Sequence, residues 1–558
     1  MATNPEAVVP PSSAGARPTR VVGTLVAACL AVMVAQVANA LPASLNGLFQ
    51  ADLGTTGSQL TWITAAFMIA VVVFELTFGV LGDLFGRRRL QVYGAALLVV
   101  GSLVSAFAPA VEVLWVGAAL NGLGAGAMFP ASLALIAAVT HTPDARARGI
   151  ALWVGFLSAG AAVSPLLGGM FADIGSWRGS FAVVAVLGVV TAVLSLALAV
   201  ESKADEGRSL DVGGQVTFAV GLIAVLYGAV QGPEDGWTEP HIVGAFVLGA
   251  VFLAAFLVIE SRTRSPLLHL GLFRNRSFAI ASIVAVVGML GFLGLLFSHS
   301  MWLGPVQHQT PMRVALPFLL LQGPAFVLIP VVGRLLQRIA ARWLLTAGFF
   351  LMAIGGLLVS RLDVTSTSLT PLIVPDLLIG IGFALTVSSF TAVAINTVPL
   401  HLAGMASATT NLLRDLGFAL GPIVVGAVAL STAGEQLGAA LATADLAPDQ
   451  AAAATAVFQA GGPLAVNSLP PEAPGGAAQQ LAMTALGDGF STAFVVCSIA
   501  ALAAGLLTLF GLSSRTQDGQ PTSESLHDPL HPELPGETGV TGTVPASRAE
   551  RPLATDGV

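Results

Sequence analysis

"GVLGDLFGRRR", Gly79 to Arg89, sets one acid and three arginines, spaced by glycines, between two long apolar stretches. The gap is too short for a domain and too charged for the interior of a bilayer. It reads as a tight link between two membrane spans. Outward from it the pattern recurs: apolar runs of eighteen or more residues follow one another along most of the chain, and each is long enough to cross a bilayer as a helix. Of 558 residues, 55% are hydrophobic and only 9% charged, against about 25% charged in soluble domains. The expected fold class is an all-α polytopic membrane protein.

Spans are predicted near 21–42, 59–81, 90–109, 113–139, 148–171, 180–200, 211–230, 241–260, 277–298, 314–333, 343–360, 371–398, 406–432 and 487–511, fourteen in all. Lys and Arg mark the cytoplasmic side. With the N-terminus inside, twenty of the 23 fall on that side, counting Arg414 among the first residues of span 13. Only Arg178, Arg313 and Arg361 fall outside, so both termini are expected in the cytoplasm of a multi-pass protein of the inner cell membrane. The Ala-, Gly- and Pro-rich segment 433–486 has no Lys or Arg and is expected outside. Residues 1–20 and 512–558 read as disordered cytoplasmic tails. "ANA" at 38–40 mimics a cleavage site, but the apolar run is too long for a signal peptide and is retained as span 1. Cys29 and Cys497 sit inside apolar runs and form no disulfide or metal framework.

The chain also repeats itself. "GVLGDLFGRR" (79–88) returns as "GRLLQRIAAR" (333–342), with Gly333, Gln337, Ala340 and Arg342 opposite Gly79, Asp83, Gly86 and Arg88. "LNGLG" (120–124) returns as "LIGIG" (378–382), and "GAAVSPLLGG" (160–169) as "GFALGPIVVG" (417–426), at offsets of 254, 258 and 257. This implies two six-helix halves, 21–200 and 277–511, with two inserted helices at 211–260. Parallel six-helix repeats place a substrate site between the halves near the midplane.

The opening stretch resembles the signature loop of the major facilitator superfamily, with Leu84 where that family usually has arginine. The resemblance implies a conformational latch made of Gly79, Asp83, Gly86, Arg87 and Arg88 that holds the outward-open state. Gly79 and Gly86 would permit close helix approach and a sharp turn, and Asp83 would accept from arginine or a helix N-terminus. The alternative is that the arginines only obey the positive-inside rule. Span 5 is similar to the superfamily's antiporter motif: Gly160, Ser164, Gly168 and Gly169 form a flat face for close packing, and Pro165 loosens the backbone. Ordinary small-residue packing is the alternative. With "SWRGSF" (176–181), "ALP" (40–42) and fourteen spans, the chain resembles the fourteen-helix drug:proton antiporters over roughly 21–511.

That family's usual acids and arginine are absent here: their places hold Met33, Ala65 and Ala118. Glu75 in span 2 and Asp376 in span 12 are the candidate proton or substrate carriers, since a charge inside a membrane normally faces a cavity or a partner. Either could instead make a structural hydrogen bond. Gln36, Asn39 and Asn121 are polar cavity candidates or interhelical glue. His299 and His308 are expected as solvated residues of an external loop, not metal ligands.

No phosphate-binding loop or nucleophile elbow occurs, so neither ATP use nor catalysis is indicated, and no cofactor is expected. The reading is a secondary transporter that exports small amphiphilic compounds, drugs or secondary metabolites, with the proton gradient as energy source. Its partners are the lipid bilayer and that small-molecule substrate, with no nucleic acid and the chain acting as a monomer. The alternatives are an uncoupled facilitator or importer of the same fold, a membrane-embedded transferase, and a non-transporting sensor.

Overall fold

Each apolar run closes into a helix because lipid offers no partner to a backbone N–H or C=O. A computed structural model describes residues 18–140, 142–174, 176–203, 210–263, 266–336, 338–396 and 403–512. The remainder of both tails, His141 of the loop between spans 4 and 5, and Gln337 of the repeat lie outside the described residues. Fourteen described helices are long and apolar enough to cross a membrane.

The first bundle comprises α1 (Pro18–Ala40), α3 (Gly57–Phe85), α4 (Arg87–Ala106), α5 (Val111–Val139), α6 (Pro143–Asp173) and α7 (Trp177–Leu198). A short α2 (Asn46–Leu53) joins α1 to α3 and ends on Gly54, whose φ of 62° makes the left-handed cap. Thr56 and Gln59 then close a reciprocal capping box on α3. The inserted pair is α8 (Val212–Asp235) and α9 (Pro240–Glu260). The second bundle comprises α10 (Arg276–Met301), α11 (Pro311–Leu336), α12 (Ala341–Val359), α13 (Ile373–Asn396), α14 (Ala403–Thr443) and α16 (Gln479–Gly511). The bundles meet along two seams, α3 against α14 and α6 against α11.

Glycines let the helices of each bundle touch backbone to backbone, and they do so at repeat-related places. A Cβ on Gly94 of α4 would stand 2.8 Å from the Gly124 carbonyl of α5. In the second bundle a Cβ on Gly348 of α12 would stand 2.6 Å from the Gly382 carbonyl of α13. Likewise Gly160 lies against the Met33 carbonyl and Gly417 against that of Val286, at 2.5 and 2.4 Å. The same close approaches thus recur at the sequence offsets of the repeat.

The segment 433–486, which reads from sequence as a loop, is mostly helical. α14 runs on to Thr443, α15 (Pro448–Asn467) follows, and α16 begins at Gln479. Leu437, Ala454, Val466, Ala478, Ala482 and Ala485 give it a small core of its own. Its many alanines, good helix formers, explain why it does not stay extended. Gly462, with φ 70°, breaks α15 just before Pro463 and turns the last residues down onto the bundles.

Candidate functional site: a cavity between the two bundles

Gln36 and Asn39 of α1 line a cavity of about 1070 Å³, its open part included, which lies between the bundles. Eight aromatic rings face it: Phe67, Phe129 and Trp153 from the first bundle, and Phe292, Phe297, Phe318, Phe383 and Phe418 from the second. Phe292 and Phe383 are stacked nearly parallel, 3.7 Å between centroids. Thr64 and Gln322 add polar edges. Such a lining suits a large apolar body with a few hydrogen-bonding groups.

The charge in the wall comes from Arg414 and Asp415 of α14. Arg414 Nε donates to Asp415 Oδ1 at 2.7 Å, and its Nη1 reaches Asn411 Oδ1 at 3.4 Å. The structure corrects the placing of Arg414 among the cytoplasmic charges. α14 starts at Ala403, eleven residues earlier, so Arg414 lies about 16 Å along the helix axis and faces the cavity. Glu75 of α3 lies across the seam close enough for its charge to act on Asp415 and Arg414, but among the described residues the ion pair of Arg414 is with Asp415. Glu75 is 8% exposed, and its Oε2 has no donor among the described residues. Two carboxyls and one guanidinium thus meet where the bundles meet. In the sequence Asp415 is only a neighbour of Arg414 near a predicted helix start, so the triad carries no signal there.

Asp376 is not in this cavity. It lies in the first turn of α13, fully buried, with Oδ1 2.8 Å from His299 Nε2. His299 is therefore no solvated loop residue: α10 continues past it to Met301 and encloses it completely. His308 is exposed, at φ 53°, with Nε2 3.2 Å from the Asn467 carbonyl. Asn121 also lies off the main cavity. It accepts from Ser102 at 3.0 Å and lines a much smaller pocket with Asn39, Ser105 and Ala118.

The antiporter-like helix α6 works through its small residues. Ser164 donates to the Val37 carbonyl of α1 at 2.9 Å. Gly168 lies against Leu41, Ser44 and Leu45, while Gly169 lies against Met312 of α11, where a Cβ would stand 2.9 Å from its Cα. Pro165 has no N–H for the Ala161 carbonyl one turn earlier. Gln322 of α11 fills that role across the seam at 3.3 Å.

At the latch, Arg87 holds Asp83 Oδ1 through Nε at 3.2 Å and Nη2 at 2.9 Å. Gly86 makes the turn with φ 112°, which disfavours any side chain. The N-terminus of α4 is met not by Asp83 but by Glu201, which follows α7: its Oε1 accepts from the Arg88 amide at 3.0 Å. Glu201 Oε2 lies 3.6 Å from Arg88 Nε and 3.8 Å from Arg89 Nε. Nothing in the sequence sets Glu201 apart from an ordinary loop acid. Gly79 differs from expectation, since open space surrounds the position its Cβ would take. The reason is the conformer. Hydrogen bonds that the described residues make between bundles gather at the middle and at the end away from the latch. There Asn46 donates to Ser300 at 2.9 Å, Ser300 donates to the Ala43 carbonyl, and Gln50 donates to the Leu464 carbonyl at 3.1 Å and to Ser468 at 2.9 Å.

Residues 26–422 match the family model of the Major Facilitator Superfamily. The chain is 33% identical over 369 residues to the multidrug resistance protein Stp of Mycobacterium tuberculosis, covering 66% of this chain and 68% of that one. It is 27% identical over 506 residues to the tetracenomycin C resistance and export protein of Streptomyces glaucescens, covering 89% and 93%. The puromycin resistance protein pur8 of Streptomyces alboniger is 30% identical over 72% of this chain and 80% of that one. The fold is that of a bacterial homolog of the human lysosomal transporter Spinster, at TM-score 0.59 and 16% identity over 90% and 98% of the two chains. Two bundles around a central cavity, the glycine-hinged link and these relatives agree: the chain is a multi-pass membrane protein of the major facilitator superfamily.

Proposed function

We propose that this protein exports small amphiphilic compounds bearing aromatic groups across the cytoplasmic membrane in exchange for protons. Both termini and the latch then face the cytoplasm, and the conformer described above is shut to the outside. The observation that carries the reading is the aromatic cavity lined by Arg414 and Asp415, with Glu75 near that pair across the α3–α14 seam. With both carboxyls ionised the triad bears a net charge of about −1; one proton makes it neutral. Proton and substrate compete for that charge. A cationic or dipolar substrate stabilises the ionised triad, and a proton arriving from outside displaces it. The triad thereby does what the residues absent at Met33, Ala65 and Ala118 do in similar transporters. The relatives named above are resistance and export proteins, which supports export over uptake.

The test is ethidium efflux from proteoliposomes with and without an imposed pH gradient. Gradient-accelerated efflux that Glu75→Gln abolishes is the expected result. Protein-dependent efflux that ignores the gradient would favour an uncoupled facilitator, the reading that Met33, Ala65 and Ala118 support. Efflux no faster than from empty liposomes would remove transport of such compounds altogether.

A further inference from the structure

His299 and Asp376 form a fully buried pair that no step above uses. Nδ1 of His299 lies 2.8 Å from the Leu295 carbonyl, and Nε2 lies 2.8 Å from Asp376 Oδ1. A carbonyl only accepts, so Nδ1 must carry a proton. Nε2 then faces a carboxyl at a separation that is repulsive between two lone pairs, so the geometry of this conformer favours a second proton on that nitrogen or on that oxygen. Asp376 Oδ2 has no donor among the described residues, and the Nε2–Oδ1 contact is close but outside the alignment of a linear hydrogen bond. Without the second proton, Asp376 would be a bare carboxylate inside a fully enclosed site.

The next residue, Ser300, is the centre of the closed gate, bonded to Ala43 and Asn46 of the other bundle. Past it the helix changes to a single π-helical turn, Trp302–Val306. There Gly304 backs onto Gly47, where a Cβ would stand 3.1 Å away. Phe494 of α16 seals the pair edge-on, 5.0 Å from the imidazole. Other charges on the packed elements lie elsewhere. Asp488 of α16 and Glu435 of α14 are exposed, Arg414 and Asp415 belong to the triad, and Asp52 of α2 is held by Trp177 and Arg178. Among the described residues Asp376 is the titratable group that acts on His299.

We infer that the His299–Asp376 pair is a proton-operated lock on the gate formed by Ala43–Gln50 and Ser300–Val306. With its extra proton the pair is neutral and the gate shuts over it. Loss of the proton leaves a buried charge, and the gate opens to admit water. The lock stands on the gate's geometry and does not depend on what is carried through the cavity.

Spin labels on Ala51→Cys and Ser368→Cys, both exposed and on opposite bundles, read the gate in nanodiscs, where both faces share one pH. Native Cys29 and Cys497 are buried. Between about pH 5.5 and pH 8.5, a range that brackets the ordinary histidine value, a longer label-to-label distance should gain at least tenfold in population. Asp376→Asn should hold the short distance at both pH values, and His299→Gln the long one. Should a single variant fold poorly, the His299→Gln, Asp376→Asn double variant, a neutral pair of similar size, should lose the pH response. Glu75→Gln should keep it. An unchanged wild-type distribution overturns the lock, as does a double variant that still responds. Loss of the response in Glu75→Gln alone would move the sensor to the triad.

Discussion

Gln322 on α11 donates to the Ala161 carbonyl on α6, the carbonyl that Pro165 deprives of its helical donor. A kink in one bundle is thus satisfied by a side chain from the other. Gln322→Leu should leave a buried acceptor unsatisfied, at a cost of about 1–3 kcal/mol. Pro165→Ala restores an N–H for that carbonyl, so the double variant should lose less than the sum of the singles. Melting of the purified protein in detergent measures this. Additive losses would mean that the proline and the glutamine act independently.

Gly86 and Glu201 make a second prediction. At φ 112° an alanine is strained by about 1–3 kcal/mol, and its Cβ would stand 2.7 Å from Glu201 Oε1. That carboxylate can move, but only by giving up the Arg88 amide. Gly86→Ala and Glu201→Gln should therefore both reduce transport with membrane abundance near wild type, Gly86→Ala the more strongly. Asp83→Asn should also lower transport, through loss of its charge-assisted bonds to Arg87. Normal efflux in well-expressed Asp83→Asn and Gly86→Ala proteins would reduce the loop to a simple positive-inside signal.

Much of this is legible in the sequence because hydropathy and glycine spacing are local signals. The spans, the turn at Gly86 and the close contacts of Gly160 and Gly168 follow from patterns a few residues long. The triad is not local: Glu75 meets Arg414 and Asp415 only once α3 and α14 pack together. Arg414 reads as cytoplasmic because basic residues near a span end usually lie there, and hydropathy starts α14 too late. His299 is misplaced for the same kind of reason, since α10 runs past its predicted end at 298 and carries the imidazole inside. Glu201 and Gln322 carry no signal beyond their polarity. Their roles depend on a helix N-terminus and a freed carbonyl supplied by other elements.

Topology is open to direct test. Ala477 lies exposed between α15 and α16. A cysteine there should react with a membrane-impermeant maleimide on intact cells. A cysteine at exposed Lys203, two residues past Glu201 of the latch, should react only after permeabilisation. The reverse pattern would turn the protein over in the membrane and make import the favoured direction.

The triad gives the sharpest prediction about coupling. Arg414 is the cation among the cavity-lining residues; it pairs with Asp415, and Glu75 acts on both across a seam that must part and re-form in each transport cycle. Glu75→Gln fixes a neutral mimic of the protonated acid, so gradient-driven efflux should fall to the uncoupled rate while substrate counterflow persists. Asp415→Asn should do the same. Because the two acids hold one exchangeable proton between them, the double variant should lose little more than either single. Arg414→Ala is a different lesion: it strands the carboxyls without their cation and should destabilise the protein by about 3–5 kcal/mol. A lysine at 414 keeps the charge but cannot grip Asp415 and Asn411 together, so Arg414→Lys should restore folding more than coupling. Efflux and counterflow in proteoliposomes over a series of pH gradients separate these effects. If Glu75→Gln and Asp415→Asn keep the wild-type gradient dependence while Asp376→Asn loses it, the coupling proton is carried by the His299 pair and not by the cavity.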